Sequence, residues 1–201
     1  MEVDSPSISK ISKADVFAVL AACYAEPGPG LAGMLGRLCA DSSFSGRIFP
    51  PEINELKELF EKTDIHDLRL DHARLFIGPF ELAAAPFGSV YLDGGRTLMG
   101  ESTSNIRDLY RQAGLEMAEN FNNPPDHIIA ELEFAAYLVS AESGPETAEN
   151  IKELKLRFFR DHLGAWIEPF TRAVEQGAAT GFYQLLGRLT RKIVLGEAGS
   201  V

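Results

Sequence analysis

The sequence lacks several features that would place it in a well-defined class. It has only two cysteines, Cys23 and Cys39, which are too few for a disulfide framework and lack the spacing of a zinc site. We interpret both as free, buried thiols in a reducing compartment. No apolar stretch approaches the ~20 residues of a membrane-spanning helix. The amino terminus also lacks the basic start and apolar run of a secretory signal. These absences predict a cytoplasmic protein with no membrane insertion.

Basic residues are scarce as well. The chain has 19 Lys and Arg against 29 Asp and Glu, which gives a formal net charge of -10. Such a chain is poorly suited to nucleic acid, whose phosphates require basic side chains, or to an anionic membrane surface. The acidic surplus is largest in residues 101–150, which contain ten acidic and two basic residues. This segment suits a cationic peptide, although a solvated helix face produces the same pattern.

The periodicity of apolar residues predicts an all-α fold. Apolar side chains recur at three- and four-residue spacing through most of the chain, separated by Gly and Pro breakers. We predict a single helical domain of about eight to ten helices over residues 11–195, with a disordered terminus at 1–10 and a flexible one at 196–201. The predicted helices cover 14–25, 31–40, a segment opening at Pro50-Pro51, 67–76, a segment from about 102 onward, 125–141, 146–162, 166–177 and 181–195.

The segment at about 78–101 is the least regular part of the sequence. It is rich in Gly and Pro, and Asp93-Gly94 within it is typical of a tight turn. A small hairpin from Ser89 to Met99 and an ordered loop both fit this composition. Because long irregular segments within a compact domain are commonly functional, we interpret it as a hinge or binding loop.

No catalytic motif or phosphate-binding glycine loop is present, so we expect no catalytic residue and no cofactor. One metal-site hypothesis remains open. His127 and Glu131 are four residues apart on a predicted helix, and Asp71 with His72 forms a second acid–imidazole pair. The Glu-x-x-His pattern of helical di-iron sites is absent. The alternative for His127 and Glu131 is a hydrogen bond on the helix surface, and we expect no metal.

The run Pro124-Pro125-Asp126-His127 predicts a strong helix start, because proline is tolerated in the first turn and an acidic side chain favours the positive end of a helix. Asp126 has two interpretations. It caps its own helix, or it faces outward and offers acceptor oxygens to an arginine. The sequence leaves both open.

Four segments together resemble the TorD/DmsD family of cytoplasmic chaperones for molybdenum-containing enzymes, which are related to the NarJ-like assembly factors. Residues 71–79 contain Asp-His-Ala-Arg-Leu-Phe-Ile-Gly-Pro, and residues 86–91 contain Pro-Phe-Gly-Ser-Val-Tyr. Residues 124–134 contain the most specific of the four, Pro-Pro-Asp-His followed by Glu-Leu-Glu-Phe, and residues 159–170 contain His-Leu, Trp and Phe in family order.

The resemblance implies an all-helical chaperone, domain-swapped into homodimers in some members, that is not an enzyme. It implies as partners the twin-arginine leader peptide and the apo-form of a molybdopterin-dependent oxidoreductase, whose export is delayed until cofactor insertion. The implied leader-binding residues are Leu75, Phe76, Pro86, Tyr91, Pro124, Asp126, His127 and Glu131. Two alternatives remain: an assembly factor that binds the mature region of its client, and a helical metalloenzyme.

Overall fold

The computed structural model describes residues 11–40, 51–78, 82–94, 98–119, 121–142 and 149–199. Predictions for the terminus at 1–10, the loop at 41–49 and the break at 143–145 lie outside these residues. Within them the chain is α-helical, which confirms the predicted all-α class. The α-helices are α1 (Lys13–Tyr24), α2 (Pro29–Ala40), α3 (Glu52–Lys62), α4 (Ile65–His72), α5 (Ser89–Leu92), α6 (Glu101–Gln112), α7 (Ile128–Glu142), α8 (Glu149–Leu156), α9 (Leu163–Gly177) and α10 (Gly181–Ala198). Among the described helices, none is long and apolar enough to cross a membrane.

Two π-helical segments interrupt the regular helices. Ala73–Ile77 continues α4 and ends at Gly78, whose φ of 39° suits glycine. Arg157–His162 joins α8 to α9. The helix predicted at 67–76 therefore corresponds to α4 and the π segment that follows it. The helix predicted at 146–162 corresponds to α8 and the π segment that follows it. π-helical segments are rare overall, but those that occur are often found at functional sites.

The irregular segment is largely helical at its start. Residues Ser89–Leu92 form the single turn α5, so the hairpin alternative is wrong for its first arm. The only strand-like pairing among the described residues is a bridge between Phe87 and His127. The Asp93 side chain stabilises the start of α6. Its carboxylate accepts hydrogen bonds from the Ser102 N–H and hydroxyl at 3.0 and 2.8 Å.

Two helix starts differ from their predictions. Helix α6 begins at Glu101, one residue before the predicted start at about 102, and its cap comes from Asp93. Helix α7 begins at Ile128 and not at Pro125, and its first N–H, that of Ile128, donates to the loop carbonyl of Pro86 at 2.9 Å. At the other end of the chain, α10 continues to Ala198. The buried Glu197 there pairs with Lys155 at 3.1 Å, which draws the end of α10 onto α8.

The core is built where α1 packs against α7 and where α9 packs against α10. Its largest fully buried side chains are aromatic, among them Trp166, Tyr183, Phe17, Phe158 and Phe159. Helix α1 is buried on several sides, as expected for a central helix. Both cysteines are free thiols: Cys23 is buried as predicted, whereas Cys39 is only half-buried. Burial raises the pKa of Cys23 far above its usual value, so this thiol is inert.

Candidate functional site

The start of α7 is joined to the loop that precedes α5. The Ile128 N–H donates to the Pro86 carbonyl at 2.9 Å, and the Gly88 N–H donates to the Asp126 carbonyl at 2.8 Å. Pro125 and Asp126 are buried, as is Pro86. Because the prolines restrict the backbone on both sides, the two segments meet in a fixed register. We call this contact the loop–α7 junction.

Asp126 satisfies neither of its two sequence interpretations. Its side chain is fully buried, and its Oδ2 atom accepts a hydrogen bond from the Ser89 N–H at 2.8 Å. It therefore caps the neighbouring α5 and not its own helix. Its Oδ1 atom and the Ser89 hydroxyl are buried with no hydrogen-bond partner among the described residues.

His127 lies in an aromatic setting. Its ring makes edge contacts with Phe87 and Phe121 at centroid distances of 5.3 and 6.2 Å. Its Nδ1 atom accepts a hydrogen bond from the Ile129 N–H at 3.2 Å, which caps α7. Burial lowers the pKa of His127 to about 4, against the opposing charge of Asp126. The imidazole is therefore neutral at pH 7.

Glu131 is the buried centre of the site. It is fully inaccessible, and its two oxygens accept hydrogen bonds from His162 Nε2 at 2.9 Å and Trp166 Nε1 at 3.1 Å. These bonds tie α7 to the π segment before α9 and to α9 itself. The predicted surface hydrogen bond between His127 and Glu131 is therefore wrong, because Glu131 faces inward.

Glu131 and His162 influence each other's pKa. Burial raises the pKa of Glu131, only partly offset by the charge and hydrogen bond of His162 and the bond from Trp166. Burial also acts to lower the pKa of His162, but the charge and hydrogen bond of Glu131 outweigh it, and the pKa of His162 is raised. We assign the proton to the imidazole, since the Trp166 N–H further stabilises a charged carboxylate.

The loop packs closely on this buried centre. The Tyr91 ring stacks on Trp166 with centroids 5.7 Å apart and an angle of 18° between planes. A Cβ atom on Gly88 would lie 3.1 Å from Trp166 Nε1 and 3.3 Å from Glu131 Oε1. A side chain at position 88 would therefore require Trp166 and Glu131 to shift by a few tenths of an ångström.

Leu75 and Phe76 lie in the π segment after α4. Leu75 is fully buried, and the Phe76 ring is surrounded by Tyr24, His72, Phe170 and Tyr183 at centroid distances of 5.3 to 6.3 Å. Phe170 also contacts Tyr91 at 6.2 Å. This aromatic cluster therefore connects the π segment to the loop–α7 junction.

The structure brings the eight predicted site residues into one region. Pro86, Asp126 and His127 form the junction, Tyr91 and Glu131 meet at Trp166, and Phe76 reaches Tyr91 through Phe170. Pro124 supports the junction by accepting the His127 N–H at 3.1 Å. Most of these side chains are buried, so in this conformation they shape the site from beneath. Their contact with a leader stays a prediction.

Several structural partners of the site were missed by sequence reasoning. His162 and Trp166 lie 31 and 35 residues beyond Glu131 in sequence. They were quoted only as part of the fourth family segment, and no periodic pattern joins them to Glu131. Asp71 was considered only as half of an acid–imidazole pair. Its buried carboxylate instead accepts the Ala179 and Thr180 N–H groups at 3.0 and 2.8 Å, which fixes the start of α10. Within the described ranges, no group of three His, Cys, Asp or Glu residues is arranged to hold a metal ion.

Comparison with known proteins agrees with this architecture. The family model described as "Nitrate reductase delta subunit" matches residues 49–172. A chaperone protein TorD of Vibrio cholerae is 30% identical over 154 residues, which is 75% of this chain and 70% of the relative. The chain belongs to the TorD/DmsD family of redox enzyme maturation proteins.

Other similar proteins carry related names. A "probable Tat proofreading chaperone DmsD" of Haemophilus influenzae is 34% identical over 69% of this chain, and the match spans 64% of that relative. A Tat proofreading chaperone DmsD of Salmonella typhi is 39% identical over 59% of this chain, spanning 54% of the relative. The crystal structure of a candidate redox enzyme maturation protein from Archaeoglobus fulgidus superposes with a TM-score of 0.64 over 96% of this chain and 99% of that one, at 17% identity, and so shares the fold.

Proposed function

We propose that this TorD/DmsD-family chain is a non-catalytic, system-specific chaperone. It binds the twin-arginine leader and the apo-form of a molybdopterin-dependent oxidoreductase in the cytoplasm and delays export until the cofactor is inserted. The observation that carries the proposal is the similarity to relatives named Tat proofreading chaperones over most of the chain.

The charge of the chain supports a cationic partner. Its formal net charge is -10, and acidic residues outnumber basic ones by ten to two in residues 101–150. A twin-arginine leader combines paired arginines with an apolar run. Carboxylates form strong, bidentate hydrogen bonds with guanidinium groups, and an acidic field accelerates the encounter with a cationic peptide. A receptor for such a leader needs acidic and apolar surface close together.

The junction supports a ligand-responsive role. The loop between Ala84 and Leu92 is held to α7 by a few hydrogen bonds through Pro86, Gly88 and Asp126, and it stacks on α9 through Tyr91. A partner that moved this loop would shift the contacts of α5, α7 and α9 together. We therefore propose that the eight residues named from the sequence act on the leader at or through this junction.

The proposal is tested by calorimetric titration of the full chain with a synthetic leader. We expect binding in the micromolar range, about 8 kcal/mol, weakened by raised salt and by replacement of the Arg-Arg pair with Lys-Lys. The absence of binding to every leader of the client oxidoreductases would overturn the proposed function.

The substitution Asp126→Asn tests the junction. One of the two polar groups of the asparagine side chain is a donor, so this side chain bonds the Ser89 N–H less firmly than the carboxylate does. The loop is then held less firmly, and we expect leader affinity to fall severalfold. The exposed Asp67 on α4 provides the matched control, since Asp67→Asn removes the same charge away from the junction. Equal affinities for both variants would show that the junction does not take part.

One alternative is an assembly factor that binds the mature region of its client. Pull-down of a client lacking its leader separates the two functions. Retention of the leaderless client together with failure of leader binding would favour the alternative.

A further inference from the structure

A second surface lies beside the start of α7, apart from the loop–α7 junction. It is an apolar groove of about 260 Å³ between the end of α6, the outer face of α7, and residues 115–118 with Phe121 from the connection between these helices. We call it the α6–α7 groove. Its apolar walls are formed by Tyr110, Leu115, Met117, Phe121, Phe134 and Tyr137.

The helical face of the groove follows from the sequence of α7. Ala130, Glu133, Phe134 and Tyr137 recur at spacings of three, four and seven residues, so they lie on one side of the helix. Glu131 points to another side, toward α9. One helix thus contributes separate faces to the junction and to the groove.

The aromatic walls are held in place by ring contacts and hydrogen bonds. Tyr110 and Phe134 pack edge to face at 4.8 Å, and Tyr137 stacks on Phe134 at 6.3 Å. The two hydroxyls are satisfied by backbone carbonyls, Tyr110 by Pro125 at 2.8 Å and Tyr137 by Ala113 at 3.2 Å. Because these rings are held in place, little conformational entropy is lost when an apolar side chain binds.

The opposite wall is adaptable. Residues 115–118 have no regular secondary structure, and the Leu115 N–H is bonded to the Tyr110 carbonyl at 2.9 Å. Met117 is half-buried within this wall. Methionine side chains adjust to different apolar partners, which suits a surface that accepts a varied peptide sequence.

The rim of the groove is acidic. Glu116 and Glu133 line it and are exposed, and in the part of the chain that the structure describes neither forms an ion pair. Partial burial raises the pKa of Glu133. A carboxylate beside an apolar surface loses part of its hydration. A cation bound next to the carboxylate replaces the lost water contacts with a favourable electrostatic interaction.

We propose that the α6–α7 groove binds the apolar run of the twin-arginine leader while Glu133 and Glu116 receive its basic residues. The inference rests on the proposed function, since it locates the same leader. A second copy of this chain is a poorer occupant, because a net charge of -10 would bring like charges to an acidic rim. The leader supplies what the surface needs, an apolar segment next to positive charge.

Two substitutions test the groove in leader titrations. Met117→Glu places a charge among the apolar walls, and we expect affinity to fall about tenfold or more. Glu133→Lys reverses the rim charge, and we expect a severalfold loss that shrinks at raised salt. The matched controls are Leu195→Glu on α10 and Glu153→Lys on α8, both exposed and outside the groove. Circular dichroism confirms that each variant remains helical.

A second measurement uses the unaltered chain. A leader carrying a photoreactive benzoylphenylalanine in its apolar run should cross-link within residues 110–137. Cross-links confined to residues 75–92 would overturn the groove as the binding surface, whatever the stability of the variants.

The outcomes separate the inference from the proposed function. If the unaltered chain binds leader and the groove variants bind as tightly as their controls, the inference fails and the chaperone function stands. If the unaltered chain binds no leader, both fail. If Met117→Glu only converts a dimer to a monomer in sedimentation experiments and leaves leader binding intact, the groove is a contact between copies, and the inference is again overturned.

Discussion

Two glutamates on different faces of α7 lie in opposite environments. Glu131 is fully buried and hydrogen-bonded to His162 and Trp166, whereas Glu133 stands exposed at the rim of the α6–α7 groove. Two residues correspond to a rotation of about 200° around a helix. The comparison teaches that the face of the helix, and not the residue type, decides whether a carboxylate is buried among hydrogen-bond donors or left exposed to solvent.

The largest expected effect comes from removing the buried carboxylate. Glu131→Ala leaves the His162 charge and the Trp166 N–H without their partner and opens a cavity. We expect the free energy of unfolding to fall by about 3–5 kcal/mol. Urea denaturation followed by circular dichroism measures it.

The matched control lies two residues away. Glu133→Ala changes the same residue type on the same helix, and we expect a change within about 0.5 kcal/mol. Similar losses for the two variants would contradict the distinction between the two faces.

The next effect concerns pH. The pKa of His127 is lowered from 6.5 to about 4, so the unfolded state binds more protons between these values. The contribution of neutral His127 is therefore present above pH 6.5 and is lost as the pH falls toward 4, by up to about 3 kcal/mol. Burial is the main cause of this shift; Asp126 opposes it, and His72 adds to it.

The variant His127→Asn isolates this contribution. Asparagine still offers an acceptor to the Ile129 N–H but does not titrate, so denaturation between pH 4 and 7.5 should show a flatter profile than the unaltered chain. His66→Asn, at an exposed position, should leave the profile unchanged. His162 has the opposite sign: its raised pKa gives stability that is full below its unfolded pKa and lost as pH rises through the folded one.

The smallest expected effect tests how closely the loop–α7 junction is packed. In Gly88→Ala the added Cβ lies within 3.3 Å of both Trp166 and Glu131, and we expect a loss of about 1–3 kcal/mol. Gly36→Ala, within α2 and with its nearest neighbour 4.0 Å away, should stabilise by about 0.5–1 kcal/mol. Thermal denaturation of both variants tests this difference, and a stabilised Gly88→Ala would show that the loop is not closely packed.

Local patterns predicted most of the helices. Residues 14–25 and 31–40 lie within one or two positions of α1 and α2, because apolar periodicity and breakers act over neighbouring residues. The errors arose where distant residues supply the cap. Asp93 caps α6 from nine residues before Ser102, which is beyond the one-turn reach of a local capping pattern, and Pro86 bonds the first turn of α7 from 42 residues away. The hairpin expectation failed because Ser89–Leu92 is capped by Asp126.

The sequence by itself determined the all-helical class, the acidic charge and the family, through its periodicity and the segment Pro-Pro-Asp-His at 124–127. Only the tertiary structure decided which carboxylates are buried. Asp126 and Glu131 lose their hydration because His162, Trp166 and Ser89 arrive from other helices with hydrogen-bond donors. A carboxylate is stable in the interior only when hydrogen-bond donors are buried beside it. Which donors lie beside it depends on the packing of helices that are far apart in sequence, and local sequence patterns do not contain this information.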